Sequence, residues 1–214
     1  MGTQHFFEDR GQAGRFLADE LLSYKDEPGI ILAIPRGGIP IAYEVAKKLN
    51  FPVEILLIKK IGHPLNKEYA IGTASLNDYY IIPVLDVSSA YIKNELKSIR
   101  TTLEHMQDLF LGSKQPTDLK GKTVILIDDG MATGHTILGT VNIIKKSNPG
   151  KIIVAIPVAS IDAVEKLSKK VDKVVALIVP EEFGAVGAFY ENFDQVSEND
   201  VQVYLNKLRV CHLY

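Results

Sequence analysis

The chain has 214 residues, 46% of them apolar and 23% charged, and its 24 basic residues almost balance 26 acidic ones, for a net charge of −2. A chain of this length makes one domain of ordinary size, buries about 70% of its unfolded surface, and needs neither disulfides nor a structural metal to fold. The balance of charge excludes a protein that holds nucleic acid by bulk positive charge.

The single cysteine, Cys211, can form no intrachain disulfide. The longest apolar runs, such as VVALIV at 174–179, are strand-length, well short of the roughly 20 residues that span a bilayer. MGTQHFFEDR at the start carries acids and no apolar run, so no signal peptide is expected. Phe6 stands where a myristoylation signal wants Ser or Thr. The expectation is a cytoplasmic protein without membrane or nucleic-acid partners.

No repeat, low-complexity tract or long linker interrupts the chain, so 1–214 is read as one domain with a core at 30–180, an N-terminal helix within 1–29, and a hood-like segment and last helix in 181–214. Residues 9–24 predict an amphipathic helix, with Asp9 and Gln12 at capping-box spacing. IILAI (30–34) predicts a buried strand that runs into Pro-Arg-Gly-Gly, with a helix from Ile39. VEILLIK (53–59) predicts a second buried strand, and the polar, breaker-rich 60–72 a long loop. A long helix at 88–111, a strand at 123–128, and a helix from Gly134 to Ser147 follow. A strand at 151–158, a helix near 160–170 and a strand at 173–180 continue the alternation. Strands apolar on both faces that alternate with helices indicate an α/β fold, a doubly wound, mostly parallel sheet with helices on both faces and a small hood. The aromatic, Gly-rich 181–197 predicts a structured loop packed over an edge of the sheet, and Ser197 with Asp200 predicts the cap of a last helix at 198–208.

The strongest chemical signal is VILIDDGMATGHT at 124–136. A buried strand ends in Asp128 and Asp129, and a turn with Gly130, Thr133 and Gly134 then opens a helix. Ligands bind at the carboxyl ends of parallel strands, where backbone N–H groups and a helix N-terminus converge on a phosphate. The adjacent acids suit sugar hydroxyls or a hydrated cation. Other chemistries fail on spacing: there is no G-x-x-x-x-G-K-[ST], no G-x-G-x-x-G and no G-x-S-x-G. His5, His63, His105, His135 and His212 lie too far apart for a short metal-ligand motif, so no protein metal ligand is named. Phe189, Tyr190 and Phe193 suit either stacking on a base or core packing.

IDDGMATGHT resembles the phosphoribosyl-diphosphate (PRPP) motif of the type I phosphoribosyltransferases. The order of elements agrees over 30–180, and the flanks DRGQAGRFLADEL (9–21) and FGAVGAFYENFDQV (183–196) resemble a subgroup of predicted members. The resemblance implies transfer of the 5-phosphoribosyl group of PRPP to a nitrogenous base of purine or pyrimidine type, with release of diphosphate, in nucleotide metabolism. It implies that Asp128 and Asp129 hold the ribose hydroxyls, and that Gly130, Met131, Ala132, Thr133, Gly134, His135 and Thr136 cradle the 5′-phosphate. His135 suits a surface role equally well. IPRGG (34–38) matches the family's pyrophosphate loop, with Arg36, Gly37 and Gly38 facing the diphosphate.

The resemblance also places 59–74 where the family has a mobile loop. Lys59, Lys60 and Lys67 are expected to neutralise the diphosphate, with Gly62 and Gly72 as hinges. Glu68 is a candidate general base or a solvated ion-pair partner. The chain departs from hypoxanthine-type members at Ala132, where those carry an acid, and agrees there with adenine-type members. Mg²⁺ is implied, held mainly by PRPP and water, and a homodimer is common in the family. The competing reading is a non-catalytic PRPP-binding regulatory protein.

Overall fold

Burial on both faces builds the main sheet. The structure is a computed structural model that describes residues 7–82, 87–112, 114 and 116–214, the side chain of Glu68 excepted. Strands β1 (Gly29–Ala33), β2 (Val53–Ile55), β6 (Thr123–Ile127), β7 (Lys151–Val158) and β8 (Lys173–Ile178) run parallel in the order β2-β1-β6-β7-β8. Successive side chains on a strand point to opposite faces. Accordingly Ile31, Ile125 and Ile153 pack with α1 (Arg10–Glu20), α2 (Gly38–Leu49) and α6 (Glu198–Val210). Their neighbours Ile30, Val124 and Ile152 pack with α4 (His135–Lys145) and α5 (Ile161–Ser168) on the other face. The doubly wound α/β class read from the alternation is the class found.

Local rules set most boundaries. Asp9 caps α1 through Gln12 N–H at 2.7 Å, while the Gln12 amide oxygen accepts from Glu8 rather than from Asp9. Ser88 caps α3 (Ser89–Phe110), and Ser197 with Asp200 forms a full capping box on α6. The segment 181–197 carries a short 3-10 turn at Val186–Phe189 and packs against the start of the chain, where Phe7 N–H donates to Phe189 O at 2.9 Å.

Two expectations are corrected. The run 53–59 is not one strand: β2 ends at Ile55, and β3 (Ile58–His63) begins a different sheet. The run 60–72 is not a loop either. β3 pairs antiparallel with β4 (Asn66–Ser75), which pairs with β5 (Tyr79–Ile81), as a separate three-stranded layer. Its inner positions Ile61, Ala70, Ile71, Thr73 and Ala74 are buried against the domain, and that burial overrides the breakers. Gly62 and Gly72 are strand residues, paired with Ala70 and Ile61, and a register shift around Gly62 absorbs the irregularity. This layer is the small hood, and it comes from 58–81 rather than from 181–197 or the first helix. Among the described residues no helix is long and apolar enough to cross a membrane.

Candidate functional site

The carboxyl ends of β1 and β6 open side by side, because the two strands are paired along their length up to Ala33 and Ile127. The turn after β6 is pinned from one side. Met131 N–H donates to Val158 O at 2.8 Å, and Ser160 N–H donates to Met131 O at 3.0 Å. Gly134 precedes α4 at φ 70°, the left-handed region that favours glycine. Among the described residues, the N–H groups of Ala132, Thr133 and Gly134 donate to no protein acceptor. These donors, with the N-terminus of α4 behind them, face a pocket of about 300 Å³ that Asp128, Gly130, Thr136 and Lys60 also line. An anion at that point satisfies orphan donors and meets the positive end of the helix.

The two acids have different surroundings. Asp128 lines the pocket, and its carboxyl is raised well above the usual carboxylate range, first by desolvation and then by the neighbouring Asp129 charge. The carboxylate of Asp129 is instead turned to Arg10, whose Nε and Nη2 reach the same Oδ2 at 2.9 and 2.8 Å. Tyr190 Oη donates to the Asp129 carbonyl at 2.7 Å, and desolvation pushes that phenol up. A Cβ on Gly37 would fall 2.0 Å from Asp129 Oδ2, so only glycine lets the turn after β1 close on this carboxylate.

The lysines separate because β3 is a strand. Lys60 lines the pocket beside Asp128, and its neighbour Lys59 lines a different cleft of about 410 Å³. Arg36 shares that cleft with Lys59, and α3 adds Thr102 and His105 to its wall. Lys67 is engaged elsewhere, with Glu95 at 2.6 Å and Tyr91 Oη at 2.7 Å on α3. The backbone of Glu68 lies in β4, and its side chain lies outside the described residues. The Pro35–Arg36 peptide is cis.

A third cleft of about 620 Å³ adjoins the outer side of the 128–136 turn, between Tyr69 and Phe183, with Ala132, Ser160 and Lys166 in its wall. His135 meets the Tyr69 ring edge-on at 5.5 Å. Its imidazole titrates below the ordinary range, through desolvation and then the nearby Lys166 charge. Phe189 and Tyr190 are buried, and Phe193 lies 3.8 Å from the Arg10 guanidinium, so all three aromatics serve packing. Reading the sequence missed Arg10, Thr102 and His105. Nothing local marks them, since Arg10 lies 119 residues from Asp129.

The comparisons with known proteins bear on the family and the fold. The phosphoribosyl transferase domain family matches residues 8–193. A Mycobacterium tuberculosis H37Rv protein named "Putative phosphoribosyl transferase Rv0571c" is 33% identical over 207 residues, covering 94% of this chain and 46% of that protein. The chain thus spans about half the length of the curated relatives it matches. The crystal structure of TT1426 from Thermus thermophilus superposes with a TM-score of 0.81 at 34% identity, covering 94% of this chain and 98% of that one. The AQ2163 protein from Aquifex aeolicus shares the fold, with a TM-score of 0.52 at 18% identity over 83% of this chain and 78% of its own. Since the family match covers residues 8–193, and with them both strand-end turns, the chain belongs to the phosphoribosyl transferase domain family.

Proposed function

We propose that the chain transfers the 5-phosphoribosyl group of PRPP to a nitrogenous base of purine or pyrimidine type and releases diphosphate. The observation that carries this reading is one pocket that holds both a carboxyl group, Asp128, and a turn of unengaged N–H donors, Ala132 to Gly134. The turn takes the 5′-phosphate, and Asp128 takes the ribose. Arg36 and Lys59, with Gly37 and Gly38 in the adjoining turn, face the diphosphate side, where Thr102 and His105 add donors. The base docks in the cleft between Tyr69 and Phe183, next to Ala132.

The chemistry asks the protein mainly for position and charge. As the bond from C1′ to the diphosphate oxygen lengthens, its electron pair leaves with diphosphate and positive charge grows on the ribose. The Asp128 carboxylate stabilises that charge, and the base nitrogen then closes the new bond to C1′. Cations from Arg36 and Lys59 stabilise the charge on the leaving diphosphate, while Lys60 faces the 5′-phosphate. Mg²⁺ would be held mainly by the oxygens of PRPP and by water, hard ligands of the kind it takes. When bound, Mg²⁺ supplies charge neutralisation at the diphosphate.

Thermal unfolding with PRPP and Mg²⁺ tests the binding half of the proposal. At a hundredfold excess over Kd, linkage stabilises the folded protein by about 2.7 kcal/mol. A Tm indifferent to millimolar PRPP would sink the reading. Diphosphate release across a panel of bases tests turnover, and PRPP binding without release would favour the regulatory alternative.

A further inference from the structure

We infer that Arg10 and Asp129 form a fixed ion pair that positions the site, so that Asp128 alone of the two acids addresses the sugar. The inference rests on the reading that the 128–136 turn takes PRPP, and it changes how the labour is divided within that turn.

Arg10 is the first residue of α1, and every part of its guanidinium is engaged. Nε and Nη2 converge on Asp129 Oδ2, Nη1 donates to the Asp194 carbonyl at 2.8 Å, and the plane lies 3.8 Å from the centre of the Phe193 ring. The two side chains are only 11% and 18% exposed. A planar fork stacked on a ring and bonded at its edges is a geometry that arginine fills and lysine does not.

Asp129 is held from three further directions. Its carbonyl accepts from Tyr190 Oη, its N–H donates to Asp128 Oδ1 at 2.9 Å, and its carboxylate lies against the Gly37 backbone. The Asp129 carboxylate is engaged by Arg10 through Oδ2, and it does not line the pocket that Asp128 lines. It joins four pieces of chain that are distant in sequence: the start of α1, the turn after β1, the end of β6, and the 190–194 segment.

The electrostatics give the pair a purpose. Two adjacent carboxylates at one strand end raise the cost of ionising each other. Arg10 neutralises the outer one, so the pocket faces a single anionic group. The contact with Gly37 then transmits the placement of Asp129 to the turn that meets the diphosphate. Arg10 and Asp129 are positioning residues, and the group that touches the ribose is Asp128.

The test is a double-mutant cycle with two readouts: Tm without ligand, and Kd for PRPP with Mg²⁺, measured below the Tm of every variant. Arg10→Gln and Asp129→Asn are each expected to lower Tm by several degrees and to weaken PRPP binding about tenfold. The double variant is expected to cost no more than either single one, because each removes the same pair. Arg10→Lys should recover part of the Tm and less of the affinity, since it restores charge without the fork. An Asp129→Asn effect on Kd that leaves Tm untouched and adds to that of Arg10→Gln would overturn the inference, because Asp129 would then be a direct sugar ligand. Loss of Tm in all variants with Kd unchanged would also overturn it, by making the pair merely structural. If the unmodified protein bound no PRPP, the functional reading would fail, and the division of labour built on it would fall too. The coupling in Tm would still decide separately whether the ion pair is fixed.

Discussion

The pocket beside Asp128 has two walls, and they are built differently. The 128–136 turn continues β6, a strand with all five residues buried in the centre of the main sheet. Its position is settled by the core beneath it. The opposite wall, the β3–β4 hairpin with Lys60, belongs to a separate layer. It is tied to the turn side by few polar contacts: Thr73 Oγ1 donates to Thr136 O at 3.0 Å, Tyr69 meets His135, and Lys146 pairs with Asp78 at 2.6 Å. The hairpin is also seated by burial, with Ile61, Ile71 and Ala74 in the same apolar core as Ile31, Ile125 and Ile153 of the main sheet. The turn is carried by the central strand, and the hairpin by the face it buries against the domain.

The sharpest way to separate the walls is at Asp128. Asp128→Asn keeps the acceptor oxygen for Asp129 N–H and removes the charge that faces the ribose. Turnover, followed by diphosphate release, is expected to fall about a hundredfold. Stability should move the other way. The folded-state pKa of Asp128 is raised, so the folded protein binds the proton more tightly than the unfolded chain does. Its ionisation therefore costs stability as pH rises from the ordinary carboxylate value through the raised one. At neutral pH the Asn variant should have a Tm at or above that of the parent. A fall in both activity and Tm would place the carboxylate in the scaffold rather than in the chemistry.

The seam between the walls gives the next effect. A Cβ on Gly139 of α4 would fall 2.4 Å from Thr73 Oγ1 and 2.7 Å from Thr73 Cβ. Gly139→Ala should therefore push the hairpin off α4, at a cost of about 2 kcal/mol, partly offset by better helix propensity. In a chain of this size the expected fall in Tm is about 4 °C. Thr73→Ala, combined with Gly139→Ala, should recover part of it. No recovery would mean that the hairpin is not seated through Thr73.

His135 gives the smallest effect. Its folded-state pKa lies below its ordinary value near 6.5, so the unfolded chain takes up the proton first as the solution is acidified. Stability from this group is complete above about pH 6.5 and declines as pH falls toward the lowered pKa. The expected change is about a degree or two in Tm, absent in His135→Gln. An unchanged slope in that variant would assign the titration to another group.

The sequence alone determined the parallel sheet, the order of its elements and the turn at 128–136. Each of these is encoded locally, in apolar runs of strand length, in capping residues, and in acids, glycines and threonines that adjoin along the chain. Ser197 and Asp200 predicted their cap correctly because a cap is a contact across three residues. The hairpin was illegible for the opposite reason. Gly62, Pro64 and Gly72 have the composition of a loop, and only burial of Ile61, Ile71 and Ala74 against the rest of the domain makes 58–75 a paired layer. Once Lys59 and Lys60 lie on a strand, its pleat sends them into different clefts, a separation that no loop would impose. Tertiary structure alone decided which acid faces the pocket, because the choice depends on Arg10, which arrives from 119 residues away with Phe193 stacked on it. Sequence neighbours share a backbone and so share a prediction, whereas partners that meet only after folding are chosen by the packing between them.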